Sequence, residues 1–236
     1  MNKKILNIAV IIFSIIMAII IISPFILSPF EEPNNRFFPV NYKSTGKEKI
    51  ILISWAGCPI GASLSWPLYL SLKNHGNITY YPWHSDPGDS FPCTPGLIFT
   101  NYTSNTINAS FIYLYNENLT GNFENKSISG NLINYGLNEL KSDLSPGLYH
   151  IAKKYTTQEW IAGSYFGTSS EEVSPHHINT IIIISGENGT ELLNGYLYNP
   201  SNIKNYSDNQ LLENGSNVSY IHHACEVINN YINIAG

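Results

Sequence analysis

The stretch "KIILISWAGCPIGASLSWPLYLSLKNHG", residues 49–76, decides the fold. Its first part, "KIILISW" (49–55), is a short apolar run of the kind that forms a buried strand. From Pro59 the period changes. Leu64, Leu68 and Leu72 recur at helical spacing, Gly76 supplies a C′ residue, and Pro67 in the middle should kink the helix. Cys58 sits between Gly57 and Pro59 where strand turns into helix. Several folds place a nucleophile at such a junction, so the thiol is the first functional candidate.

Downstream the α/β rhythm continues. "NITYYPW" (77–83) reads as the next strand, returning parallel to the first through a right-handed crossover. "GLIF" (96–99) and "ASFIYLY" (109–115) read as two more strands joined by a polar loop. A helical insertion over about 128–168 follows. Within it Ile133, Leu137 and Leu140 share a face, and Ser145-Pro146 opens a second helix. Thr156 with Glu159 makes a capping-box pattern before Trp160. "TIIIIS" (180–185), the Asn188-Gly189 turn and "TELLNGYLY" (190–198) form the clearest hairpin, and "SYIHHACEVINNYINI" (219–234) a closing helix.

Upstream, Lys3 and Lys4 precede an uncharged apolar run from Ile5 to about Leu27, long enough to cross a bilayer. It is too long for the apolar region of a cleaved signal peptide, and no small-residue cleavage site follows it. The expectation is an uncleaved anchor (1–29), N-terminus inside by the positive-inside rule, then a linker (30–46) and an extracytoplasmic domain (47–236). Nine Asn-x-Ser/Thr acceptors, at Asn77, Asn101, Asn108, Asn118, Asn125, Asn188, Asn205, Asn214 and Asn217, fit glycosylated loops on an exported protein. That is roughly twice the number that chance gives at this composition. A net charge of −5, with no cluster of Lys and Arg, argues against nucleic acid as a partner. No phosphate-cradling G-x-x-x-x-G-K-[ST] or G-x-G-x-x-G motif occurs.

This layout resembles the thioredoxin fold: a mixed α/β sheet with a helical insertion, here preceded by one transmembrane helix. Trp55, Ala56, Cys58 and Pro59 stand where thioredoxin-like proteins carry W-A-x-x-C-x-x-C, and Pro67 lies near the family's helix-kinking proline. Thr94-Pro95, before "GLIF", resembles the threonine and cis-proline that face the active cysteine, although Pro175, ahead of the late hairpin, is a rival for that place. The chain also resembles an uncharacterised, membrane-anchored archaeal family with G-C-P-x-G-A and P-G-L-I-F segments, which brings no known activity. One departure counts against the match. The second cysteine of the motif would stand at position 61, and the chain has Gly61. Without it Cys58 cannot release a mixed disulfide by the two-thiol route.

If the loop before Pro95 approaches the helix start, as the resemblance implies, Cys93 becomes a candidate resolving thiol or disulfide partner. Three readings stay open for Cys58: a structural disulfide or inert thiol, a redox nucleophile, and a remnant in a binding module. A helix N-terminus favours the thiolate and supports the second. Cys225 is the odd cysteine. His176, His177, His222, His223 and Cys225 raise a metal-site alternative, but their spacing matches no strong ligand motif, and no metal or cofactor is called for. His84, Asp86 and Asp89 lie in a Pro/Gly-rich segment where Asx-turns are the ordinary outcome. Two functions follow from different classes. One is a thiol–disulfide oxidoreductase or chaperone-like redox protein acting on exported proteins through Cys58. The other is a non-catalytic binding or envelope-associated domain.

Overall fold

The structure, a computed structural model, describes residues 12–17, 35–160 and 167–236. It is a mixed α/β fold. Residues 12–17 are helical and exposed, and the rest of the expected membrane span lies outside the described residues. Among the described residues no helix is long and apolar enough to cross a membrane.

A five-stranded sheet forms the centre: β1 (Phe37–Val40), β2 (Lys49–Ser54), β5 (Asn108–Tyr113), β6 (Ile181–Ser185) and β7 (Thr190–Asn194). Their order is β1-β7-β6-β2-β5, with β2 and β5 parallel and every other pair antiparallel. Side chains alternate between faces along a strand, so each strand feeds two cores. Ile50, Leu52, Ile182, Ile184 and Leu193 enter one, with helices α1 (Pro59–Leu72), α4 (Asp208–Asn214) and α5 (Ser219–Ala235). Ile51, Ile53, Ile181, Ile183 and Leu192 enter the other, with α2 (Leu132–Asp143) and α3 (Pro146–Thr157). Coverage on both faces is why β6 reads as an unbroken isoleucine run and not as an alternation. Leu64, Leu68 and Leu72 of α1 are fully buried, each contributing on the order of 1.5–3 kcal/mol.

Three expectations need correction. β3 (Asn77–His84) does not return parallel to β2. It pairs antiparallel with β4 (Pro95–Thr103) as a separate two-stranded sheet laid over α1. There Trp66 Nε1 donates to the Pro95 carbonyl at 2.8 Å, and the Leu97 N–H donates to Ser65 Oγ at 2.8 Å. The polar residues spaced along β3 allow a strand on the surface, and the strand that does return parallel is β5. Second, residues 37–40 of the expected linker belong to the sheet as β1, whose Phe37 and Phe38 are buried. Third, Thr156 caps nothing: it lies in the last turn of α3, and its hydroxyl donates to the Ala152 carbonyl at 2.7 Å. The start of α3 at Ser145-Pro146, the β6–β7 hairpin and the closing helix stand where the sequence puts them.

Pro67 has a consequence beyond a kink. Its missing N–H leaves the carbonyl four residues earlier, that of Ser63, without its helical donor. The Tyr198 hydroxyl, buried in the loop after β7, donates to that oxygen at 2.6 Å. A defect in α1 thereby pins the 195–199 loop to the helix.

Candidate functional site

Cys58 is the N-cap of α1. Its Sγ accepts from the Gly61 N–H at 3.4 Å, satisfying one of the donors that a helix start leaves unpaired. A second group meets it from across the sheet. Thr180 immediately precedes β6, beside the end of β2, and its Oγ1 lies 3.0 Å from Cys58 Sγ and 2.7 Å from Ser54 Oγ. Ser54, Thr180 and Cys58 therefore form a buried hydroxyl–hydroxyl–thiol chain. Burial pushes the Cys58 thiol above its ordinary value. The hydrogen bonds from Thr180, Gly61 and Ile60 pull the other way without overcoming it, and the nearby charge of Asp89 adds to the rise. Here the loss of solvation outweighs the helix terminus, so the thiol is held as a neutral group at physiological pH.

Gly61 fits this arrangement closely. A Cβ built there overlaps Ser54 Oγ and stands 3.2 Å from Ser54 Cβ and 3.5 Å from Cys58 Cβ. The place of the missing cysteine is filled by the Ser54 side chain. The three cysteines are free thiols, Cys58 buried, Cys93 exposed, Cys225 half-buried, and no disulfide joins Cys58 to Cys93. The 85–94 loop does reach the motif, since the Asp86 N–H donates to the Gly57 carbonyl at 2.9 Å. Cys225 lies elsewhere, on α5, with its Sγ 3.4 Å from Ser71 Oγ.

The cis peptide is at Ser174–Pro175, which corrects the assignment to Pro95; among the described residues it is the one cis bond. Pro95 is instead the first residue of β4. After Pro175, His177 turns inward and donates from Nδ1 to the Pro175 carbonyl at 2.6 Å. Its ring packs edge-on against Trp55 at 5.3 Å and Tyr115 at 5.9 Å between centroids. Burial holds the imidazole below its usual range, against the Pro175 hydrogen bond and the charge of Asp89, which raise it. Tyr115 completes the wall: its hydroxyl donates to the Leu132 carbonyl at 2.7 Å and accepts from the Ile178 N–H at 3.3 Å.

The other candidates separate. His176 is exposed, with Nδ1 donating to the Val173 carbonyl at 3.0 Å. His222 and His223 lie beside Glu226 on the surface of α5. No cluster of three or more His, Cys, Asp or Glu with metal-holding geometry occurs among the described residues. Asp86 and Asp89 accept from the Gly88 and Phe91 N–H groups, which is the Asx-turn geometry. Ser54, Thr180 and Tyr115 escape sequence reasoning, and His177 enters it only as a metal-ligand alternative. Thr180 had a signal, because pairing the isoleucine run against "KIILIS" places it opposite Ser54.

No curated protein and no solved structure matches the chain. One family does: the profile of a domain of unknown function, DUF929, spans residues 35–234, from the residues just before β1 into α5. The chain belongs to the DUF929 family.

Proposed function

We propose that the chain is a membrane-anchored, extracytoplasmic domain of thioredoxin-like type that acts as a binding module for exported proteins, with Cys58 as a structural cap and not a disulfide-exchange thiol. The thioredoxin-like assignment is supported by connectivity. A strand, a Cys-capped helix and a parallel strand (β2, α1, β5) are followed by helices on the opposite face, an antiparallel hairpin (β6, β7) and a final helix. The β3–β4 hairpin and β1 are then additions to that core.

The observation that carries the non-catalytic reading is the state of Cys58. The thiol is buried and raised by desolvation, and the motif's second position is filled by the Ser54 side chain. Disulfide exchange needs an accessible thiolate, which burial disfavours here, and a resolving thiol, which position 61 of the motif does not supply. One observation favours the redox reading: Gly61 N–H and Thr180 Oγ1 both lie on Sγ, as donors to a thiolate would. The anchor rests on the apolar run 5–27 behind Lys3 and Lys4. Export is supported by the nine acceptor asparagines, all of them exposed, whereas the buried Asn116, Asn179 and Asn194 stand outside any acceptor motif.

The test is thiol reactivity of the folded full chain toward an aromatic disulfide at pH 8, with modified peptides identified by mass. Cys93 should react fast, Cys225 slowly, and Cys58 only after unfolding in guanidinium. Modification of Cys58 at the rate of Cys93 in the folded protein would transfer the assignment to redox chemistry.

A further inference from the structure

The fold fixes which end of the domain meets its tether. β7 runs antiparallel to β6, which runs antiparallel to β2, so β2 and β7 finish at the same end of the sheet. Cys58 follows the end of β2. Asn35 is fastened at the end of β7: its N–H donates to the Asn194 carbonyl at 3.0 Å, and its Oδ1 accepts from the Tyr196 N–H at 3.0 Å. The chain therefore enters the domain at the Cys58 end. Between Leu27, the last residue of the apolar run, and Asn35 lie residues 28–34. Even fully extended, that length of chain reaches no more than about 25 Å.

A second observation points the same way. Among the described residues from 35 onward, the exposed large apolar side chains are Tyr81, Phe123, Trp160, Tyr206, Tyr220 and Ile234. Four of the five aromatic ones lie toward the Cys58 end. Tyr81 is near the end of β3 and packs edge-on against Trp83. Phe123 stacks on Tyr113, the last residue of β5. Trp160 lies past the end of α3, whose Tyr155 carbonyl accepts from Asn194. Tyr220 opens α5, stacked near Tyr198, which is tied to the first turn of α1. The aliphatic Ile234 is at the other end, beside the β6–β7 turn that Ala235 contacts. Tyr and Trp side chains, apolar in body and polar at the tip, suit the headgroup layer of a membrane.

We propose that the Cys58 end of the domain faces the membrane and that the exposed rings of Tyr81, Phe123, Trp160 and Tyr220 rest at the lipid headgroup surface of the bilayer that holds the anchor. This inference rests on the anchor reading above. It narrows the partner class: a segment bound at the Cys58 end would be one lying in or emerging from the membrane, since chains far from the bilayer meet the opposite end.

The test uses the full chain reconstituted in phospholipid vesicles carrying a headgroup-attached energy acceptor. A donor dye is placed either on the exposed Cys93, in the loop at the Cys58 end, or on Asn105→Cys in a Cys93→Ser background, in the loop at the opposite end. The 14 residues of α1 run from Cys58 toward the loop that holds Asn105, where Ser104 Oγ donates to the His75 carbonyl, about 21 Å at the helical rise. The Cys93 donor should transfer markedly more energy than the Asn105→Cys donor. Phe123→Ser with Tyr220→Ser should bring the two signals together while the protein still floats with the vesicles. Equal or reversed transfer in protein that floats overturns this inference alone. An unchanged gap in the double variant overturns the role given to the rings. Failure of the full chain to float overturns the anchor reading, and this inference with it.

Discussion

Replacing Tyr198 by Phe removes one oxygen and little else, which makes it a sharp probe of how α1 tolerates Pro67. The lost hydroxyl is the 2.6 Å donor to the Ser63 carbonyl, and Tyr198 is only 7% exposed, so water cannot easily take its place. Leaving a buried acceptor unsatisfied costs about 1–3 kcal/mol. For a domain of this size that lowers Tm by roughly 2–4 °C per kcal/mol, or about 2–12 °C in total. The cause can be separated from generic packing. In a Pro67→Ala background the helix regains an N–H directed at Ser63, so Tyr198→Phe should cost less there than in the parent. A coupling of about 0.5–1.5 kcal/mol between the two positions is expected from thermal or denaturant unfolding of all four proteins. Additive effects, or a Tyr198→Phe protein as stable as the parent, would refute the view that this hydroxyl replaces the donor Pro67 lacks.

Two further outcomes follow. Burial holds the His177 imidazole below its ordinary range, so the unfolded chain binds the extra proton first as pH falls. That contribution to stability is complete above about pH 6.5 and is lost on acidification below it. A His177→Gln protein should therefore lose less stability between pH 7 and 5 than the parent, and parallel pH profiles would contradict the assignment. Protein isolated from its source should carry glycans on the exposed acceptor asparagines and exceed 26.4 kDa by mass spectrometry, a reading that nine bare asparagines would end.

Much of the layout was legible because local signals and tertiary role agree. The isoleucine run, the Asn188-Gly189 turn and Ser145-Pro146 each specify their element within a few residues, and each is found in place. β3 was misplaced for the opposite reason. Its pattern reports a strand, but which strand it pairs with depends on α1 carrying Ser65 and Trp66 at the spots where β4 docks. β1 was hidden because four residues with a proline among them look like linker; their burial depends on β7, at least 150 positions away. In the site, Cys58 at a helix start was readable. The rise in its pKa was not, since desolvation comes from the residues packed around the sulfur, Trp55 among them, and no local rule counts them.

The two margins of the central sheet bear on how this protein tolerates crowding on a surface. The Gly186 N–H bonds the Gly189 carbonyl, so by alternation the odd-numbered residues of β7 turn toward β6 and the even ones toward β1. Within β1, Phe38 and Val40 then face β7, and Pro39 faces outward with no donor to offer an intruding strand. At the far margin β5 is flanked by β4, whose Phe99 N–H reaches across to the Tyr113 hydroxyl at 3.0 Å. A short proline-bearing strand on one side and a docked hairpin on the other deny neighbouring copies a template for strand-to-strand growth. Molecules packed side by side can collide often under such an arrangement and still remain separate proteins instead of seeding a fibril.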